Sequence, residues 1–207
     1  MTLMKWYDVI APVYDRSIER TYLPYRQMAV QTLHLRPGEI VLDIGCGTGL
    51  NFELILNLIG TQGTLMGIDS SVKMLERARK KVEQHGWSNI HLLQRDARNL
   101  IRSDFEYLTG SRILFDSIIC TLGFSVFPDW QEVFERSFDL LENGGRYCIM
   151  DIYNDKDTLR VQMIRFLAKA DNSRRVWEPL KRCDDYNEER FPMSHSDTVV
   201  IASGTKA

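Results

Sequence analysis

Apolar residues along this chain follow two alternating rhythms. Short apolar runs recur at residues 40–44, 65–68, 90–93, 116–121 and 146–152, with few polar interruptions. Runs this short and this apolar suit parallel strands buried on both faces. Between them lie stripes at three- and four-residue spacing. Leu50, Leu54, Ile55, Leu58 and Ile59 make one, and Val72, Leu75, Ala78 and Val82 another. Trp130, Phe134, Phe138 and Leu141 make a third, and Leu159, Met163, Phe166, Leu167 and Ala170 a fourth. Such spacing predicts helices with one buried face. The second helix is expected to start after Ser70 or Ser71 and to end beyond Lys80 and Lys81 at Gly86. Asn143-Gly144-Gly145 is expected to stop the third.

Strand alternating with helix predicts an α/β fold, doubly wound around a mostly parallel sheet. Residues 1–30 read as helices or a cap ahead of the first strand. Residues 171–195 read as charged and irregular, and 198–202 as a last strand. In such sheets ligands bind beyond the carboxyl ends of the strands, where the strand order reverses.

Composition narrows the picture. The 207 residues fit one domain, and a 44% hydrophobic share supports a sizeable core. Lys and Arg total 26 against 28 Asp and Glu, a net charge of −2. That balance argues against a protein that holds nucleic acid through its phosphates. No apolar run approaches the roughly 18 residues of a membrane span, and no continuous apolar leader opens the chain. The four cysteines, at 46, 120, 148 and 183, form no CxxC pair. A structural metal site is therefore not expected, and the reading is of a reduced, cytoplasmic protein with buried thiols.

The chemistry is concentrated in VLDIGCGTGL, residues 41–50. Gly45 and Gly47 match the start of a dinucleotide fingerprint, but the third glycine falls one residue early at Gly49, leaving Leu50 in its place. Asp43, two residues before the first glycine, is read as an anion at the mouth of the site that repels phosphate and welcomes a cation. Asp69 ends the second apolar run in GIDSS, where a carboxylate can accept from both ribose hydroxyls. Asp96 follows the third run in QRDA, where it can accept from the exocyclic amine of an adenine. A strand-terminal aspartate is often only a helix cap, and Asp69 before Ser70 is a candidate for that alternative. Three acids at successive strand ends around a glycine turn describe a nucleoside without phosphates and with positive charge. S-adenosylmethionine (SAM) has that character.

These motifs resemble the class I SAM-dependent methyltransferases over roughly residues 5 to 153. VLDIGCGTG resembles their first motif, GIDSS the acidic second, and QRDA the adenine-reading third. YDVIAPVYD and DSSVKML resemble the ubiquinone/menaquinone-biosynthesis (UbiE-like) enzymes and the bacterial phosphatidylethanolamine N-methyltransferases; VFPDW and NGGRYCIMD lean toward the latter. The resemblance implies a Rossmann-like, seven-stranded sheet with an N-terminal helical lid over residues 1–30. It also implies a cofactor core over 38–153, and a last helix and strands over 154–207. It implies that Asp43, Gly45, Cys46, Gly47 and Gly49 surround the methionine end of SAM. Asp69 would hold the ribose beside Ser70, with Asp96 and Ala97 at the adenine edge and Thr121 and Leu122 on the cofactor's other side. Tyr7 and Tyr14 would belong to the lid. ENGG at 142–145 departs from the family, whose members usually place a proline before these glycines.

The implied reaction moves a methyl group from SAM to a small-molecule or lipid acceptor. A phospholipid amine stands ahead of a quinone carbon; an NAD-dependent oxidoreductase and an idle SAM-binding protein are the alternatives. Acceptor-site candidates are Tyr7, Tyr14, Phe124 and Asp151, with Phe127 read as core ahead of an acceptor wall. No base is assigned: His34, His85 and His91 are poorly placed, and His195 lies in an unplaced loop. Arg174-Arg175 and Lys181-Arg182 around Trp177, with Trp6 and Tyr7, form a candidate patch for anionic lipid headgroups, weighed against a solvated surface.

Overall fold

The computed structural model describes residues 20–105, 114–154, 170–193 and 197–207. Residues 20–32 are helical (α1). There follow β1 (Ile40–Ile44), α2 (Phe52–Ile59), β2 (Thr64–Asp69), α3 (Val72–His85), β3 (Ile90–Gln94), β4 (Phe115–Thr121), α4 (Trp130–Asp139), β5 (Leu141–Tyr153), β6 (Asp184–Pro192) and β7 (Thr198–Thr205). The strands form one seven-stranded sheet in the order β3-β2-β1-β4-β5-β7-β6. Strands β1 to β5 run parallel to one another, and β7 runs antiparallel to both β5 and β6. This is the class I methyltransferase fold, Rossmann-like and mostly parallel.

Period-two alternation divides the central strands between two cores. Leu42 and Ile44 of β1 face the core that holds Phe124, Phe134 and Trp177. Val41 faces the other, where α1 contributes Ala29, Val30 and Leu33, and α2 contributes Phe52, Ile55 and Ile59. Asp43 lies two residues from Val41 and so points to the α1–α2 side. The order of strands reverses between β1 and β4, and both chain exits there open toward the same edge.

Local signals explain the element ends. The Ser71 side chain accepts from the Met74 amide and caps α3, and Gly86 closes that helix in the left-handed conformation at φ 66°. Where the sequence suggests a turn at 143–145, the chain instead enters β5 already at Leu141. The β4–β5 register jumps from Phe115↔Leu141 to Ser117↔Arg146, so residues 142–145 bulge out of one long strand. Gly144, at φ 79°, turns that bulge, and its amide donates to the Lys206 carbonyl at 2.7 Å.

The reading of 171–195 as irregular is corrected. Residues 184–192 form β6, the edge strand, with exposed residues on both faces. An edge strand with charges on both sides shows no apolar alternation, which is why its sequence hides it. The helix expected around 159–170 falls largely outside the described residues, as do His195 and the first 19 positions. No helix among the described residues is long and apolar enough to cross a membrane.

Candidate active site

The glycine turn leaves β1 at the switch point and forms one wall of a cavity of about 390 Å³. Gly45, Cys46, Gly47, Asp69, Ser70, Asp96, Ala97, Thr121 and Leu122 all line it. The volume lies within the roughly 300–1,000 Å³ of small-molecule sites.

Asp69, half-buried at the end of β2, is fixed from two sides. Its Oδ2 accepts from the Gly47 amide at 2.9 Å and its Oδ1 from the Ser71 amide at 2.8 Å. The carboxylate thus ties the glycine turn to the start of α3. Cap and site roles coincide in this residue. Asp96 is committed more fully. Its Oδ1 accepts from the Arg98 amide at 3.0 Å, and the Arg98 guanidinium reaches its Oδ2 at 2.7 Å. Hydrogen bonds from Arg98 hold the Asp96 carboxyl below its usual range. Arg98 also reaches Asp129 at 3.2 Å and spans the gap between the β3 end and the start of α4.

Two cofactor candidates do not reach the cavity wall. Asp43 is fully buried rather than standing at the mouth. Strand alternation aims it beneath the turn, where both its oxygens accept from Asn51 Nδ2 at 3.1 Å. Burial pushes its pKa up to about 7, against the pull of the Arg26 charge and the Asn51 bond. Gly49 is also buried, and a Cβ there would stand 2.5 Å from the Phe52 ring. Its glycine serves helix packing.

The acceptor candidates divide similarly. Phe124 is fully buried, edge-on to Phe127 at 5.6 Å between ring centres, so it belongs to the core. Phe127 is half-buried, packs against the same core and also lines the cavity, so both of its readings apply. Asp151 is buried and taken up by the turn after β4. It accepts from the Ser125 amide at 2.9 Å, the Ser125 hydroxyl at 2.7 Å and the Ile152 amide at 2.8 Å. Burial raises its pKa, opposed by those bonds. It organises this loop and does not present itself to an acceptor. Tyr7 and Tyr14 lie outside the described residues.

The lipid-patch reading loses its anchor. Trp177 is 1% exposed and meets Tyr153 edge-on at 5.3 Å. Arg182 pairs with Glu135 at 2.7 Å, Arg174 with Asp171 at 3.0 Å, and Arg175 and Lys181 both pair with Glu178. The four cations are thus committed to carboxylates of their own chain. Trp6 is outside the described residues. Among the described residues, no group of three or more His, Cys, Asp or Glu is placed to hold a metal ion. Cys46 lies in the wall, where burial and then the charges of Asp69 and Asp43 push its thiol pKa well up.

Sequence reading missed Arg26. This arginine on α1 is 5% exposed and lines the cavity. Its Nη1 donates to Asn51 Oδ1 at 2.9 Å and also to Thr121 Oγ1. The signal was available: Arg26, Ala29, Val30 and Leu33 share one helical face, and a charge inside an apolar stripe asks for a buried partner. Leu122, next to Thr121, is a non-glycine residue at φ 59°, a strained backbone of the kind that gathers at functional sites.

A methyltransferase domain family model matches residues 35–193. The demethylmenaquinone methyltransferase of Listeria welshimeri is 26% identical over 151 residues, covering 71% of this chain and 61% of that protein. The aklanonic acid methyltransferase of a Streptomyces species (strain C5) is 31% identical over 140 residues, covering 68% of this chain and 60% of that protein. The chain thus spans about three fifths of the length of these curated relatives. Among solved structures, phospholethanolamine N-methyltransferase 2 of Haemonchus contortus superposes with a TM-score of 0.77 at 13% identity. That match covers 100% of this chain and 60% of the other, and it speaks to the fold alone.

Proposed function

The chain belongs to the methyltransferase domain family, and from that premise we propose that it transfers a methyl group from SAM to a small-molecule or lipid acceptor. One observation carries the reading. Asp69, locked to the glycine turn through the Gly47 amide, faces the same cavity as the Asp96 loop and the end of β4. A dinucleotide reading is disfavoured by Leu50, which stands where the fingerprint's third glycine would allow close packing of helix on strand.

The donor set suits SAM. Asp69 brings a carboxylate to the space for ribose hydroxyls, the Asp96–Ala97 turn borders the space for adenine, and Gly47 leaves open space where a Cβ would stand. When bound, SAM supplies an electrophilic methyl group on a sulfonium, with a neutral thioether as leaving group, so no acid is required. The chain's task is alignment and exclusion of water. Phe127 and Val126 close the cavity beside β4 with apolar surface, and Arg98 straps its other end. None of the described histidines lines the cavity, which fits an acceptor that arrives deprotonated.

The relatives named for demethylmenaquinone support a quinone-type carbon acceptor over a phospholipid amine, which rests on a fold likeness. Calorimetry with S-adenosylhomocysteine (SAH) against NAD tests the cofactor; uptake of NAD and refusal of SAH would overturn the proposal. Methyl-labelled SAM incubated with lipid and quinone extracts tests the acceptor. No labelled product from either extract, with SAH binding intact, would favour a SAM-binding protein without catalysis.

A further inference from the structure

The turn after β4 is held from behind by a distant part of the chain. Within the turn, the Gly123 carbonyl accepts from the Val126 amide at 3.0 Å and from the Phe127 amide at 3.2 Å. Behind it lies the segment at 170–175. The Asp171 amide donates to the Ser125 carbonyl at 2.8 Å. Arg174 Nη1 donates to the Phe127 carbonyl at 2.7 Å, and Arg174 Nε donates to Asp171 Oδ2 at 3.0 Å. The neighbouring carboxylate thus orients a guanidinium whose other arm grips a main-chain oxygen 47 residues away. A charged donor on a carbonyl is among the stronger hydrogen bonds. Phe127 is therefore tied on both sides of its α-carbon, and Pro128 after it restricts its backbone further.

Fixing that backbone fixes where the ring lies. A Cβ added at Gly45 or at Gly123 would meet Phe127 Cζ at 3.3 Å. Gly45 follows β1 and Gly123 follows β4, so the ring spans the crevice where the strand order reverses. Among the described residues it is the one aromatic ring in the cavity wall. Residues 122–128 contribute Leu122, Gly123, Val126, Phe127 and Pro128 to that wall, none with a polar side chain. Asp69 and Asp96 line it along the exits of β2 and β3 instead. Asp151, the carboxylate nearest in the fold to this loop, is turned onto Ser125. A protonated amine would find no carboxylate along 122–128, whereas a flat, uncharged ring would find an aromatic face to pack on.

We propose that Arg174 is a positioning residue for methyl transfer. By holding the Phe127 main chain it keeps the ring across the β1–β4 crevice, and that ring is the surface on which a flat, uncharged acceptor lies against the cofactor. The inference rests on the SAM reading with a quinone-type acceptor. Arg174 stands behind the loop, outside the cavity wall, and acts only through Phe127.

The test uses methyl-labelled SAM as donor and a 1,4-naphthoquinol with one short isoprenoid chain as acceptor probe. Arg174→Gln should raise KM for the naphthoquinol about 3- to 10-fold, the scale of one net hydrogen bond, and leave SAH affinity within about twofold. Arg174→Lys, which keeps a cationic donor, should recover most of the loss. In a Phe127→Leu background the Arg174 change should add nothing further, because the two residues act as one unit. Fluorine NMR of protein grown on 3-fluorophenylalanine reads the ring itself, with the Phe127 signal assigned by its absence in Phe127→Leu. That signal should shift in Arg174→Gln and return in Arg174→Lys, and thermal melts check that each variant folds. An unmoved signal would overturn the positioning role. So would equal weakening toward SAH and naphthoquinol, or additive losses in the double variant, either of which reduces Arg174 to a structural part. If the native protein binds SAH but labels no naphthoquinol, the flat-acceptor half is overturned, and the fluorine shift still decides whether Arg174 holds the ring. If it binds no SAH, the SAM reading fails and the proposal falls with it.

Discussion

Alanine at Gly49 and alanine at Gly47 should fail for different reasons, although the two glycines are two residues apart in one turn. Gly47 has φ 56° and Gly49 has φ 78°, so either alanine enters the left-handed region, at about 1–2 kcal/mol. The surroundings then separate them. A Cβ at Gly47 meets no atom within 4 Å, because it points into open space. At Gly49 it would stand 2.5 Å from Phe52 Cδ2 and Cε2 and 3.0 Å from Cζ. Phe52 is fully buried at the start of α2, so its ring has little room to retreat. Forcing a methyl into a packed core costs about 1–3 kcal/mol more. Gly49→Ala should therefore lose roughly 2–5 kcal/mol of stability and Gly47→Ala only about 1–2. At about 2–4 °C per kcal/mol for a domain of this size, the Gly49 change lowers the melting temperature by roughly 4–20 °C. Urea denaturation gives the two free energies, and SAH titration of each folded variant gives the other half of the contrast. Gly47→Ala, modest in stability, should be the one that weakens SAH, since its methyl occupies cavity space. A Gly49→Ala protein as stable as Gly47→Ala would refute the packing argument.

Asp43 should make stability fall with rising pH. Its folded pKa of about 7 lies above the ordinary 3.8, so the folded state holds the proton more tightly across that interval. Stability is full below pH 4, declines as pH rises toward 7, and then levels, by about 4 kcal/mol at 1.36 kcal/mol per pH unit. Denaturation at pH 5 and pH 8 should show this slope reduced in Asp43→Asn; an unchanged slope would refute it. Ser125→Ala should cost about 1.5–3 kcal/mol, the worth of a hydrogen bond to a charged group, because Asp151 loses its 2.7 Å hydroxyl donor. A melt within 1 °C of the native protein would contradict that assignment. Trp177→Ala should cost about 3–5 kcal/mol as a core truncation and leave vesicle binding unaffected; a stable variant with altered flotation would restore the surface reading.

Much of this fold could be read along the chain, for a local reason. Parallel strands buried on both faces need continuous apolar runs, and the helices covering them need a stripe, so both periods are written into the residues themselves. Ser71 and Gly86 set the ends of α3 with groups that act within their own turn. The glycine turn, Asp69 and Asp96 were legible because the end of a strand follows from its sequence, and ligand sites follow from strand ends.

The sequence could not show what lies on the far side of a contact. Asp43 sits in the same strand as Leu42 and Ile44, and only the placement of α1 and α2 decides that it faces Asn51 and the Arg26 charge instead of solvent. Trp177 looks like a surface aromatic among cations until Tyr153 and the carboxylates of Glu135, Asp171 and Glu178 are brought to that cluster. The edge strand β6 draws its definition from β7, since main-chain hydrogen bonds between strands carry no side-chain signature. Periodicity is a property of neighbours in the chain and so belongs to the sequence. Burial of a charge belongs to groups that meet only after folding.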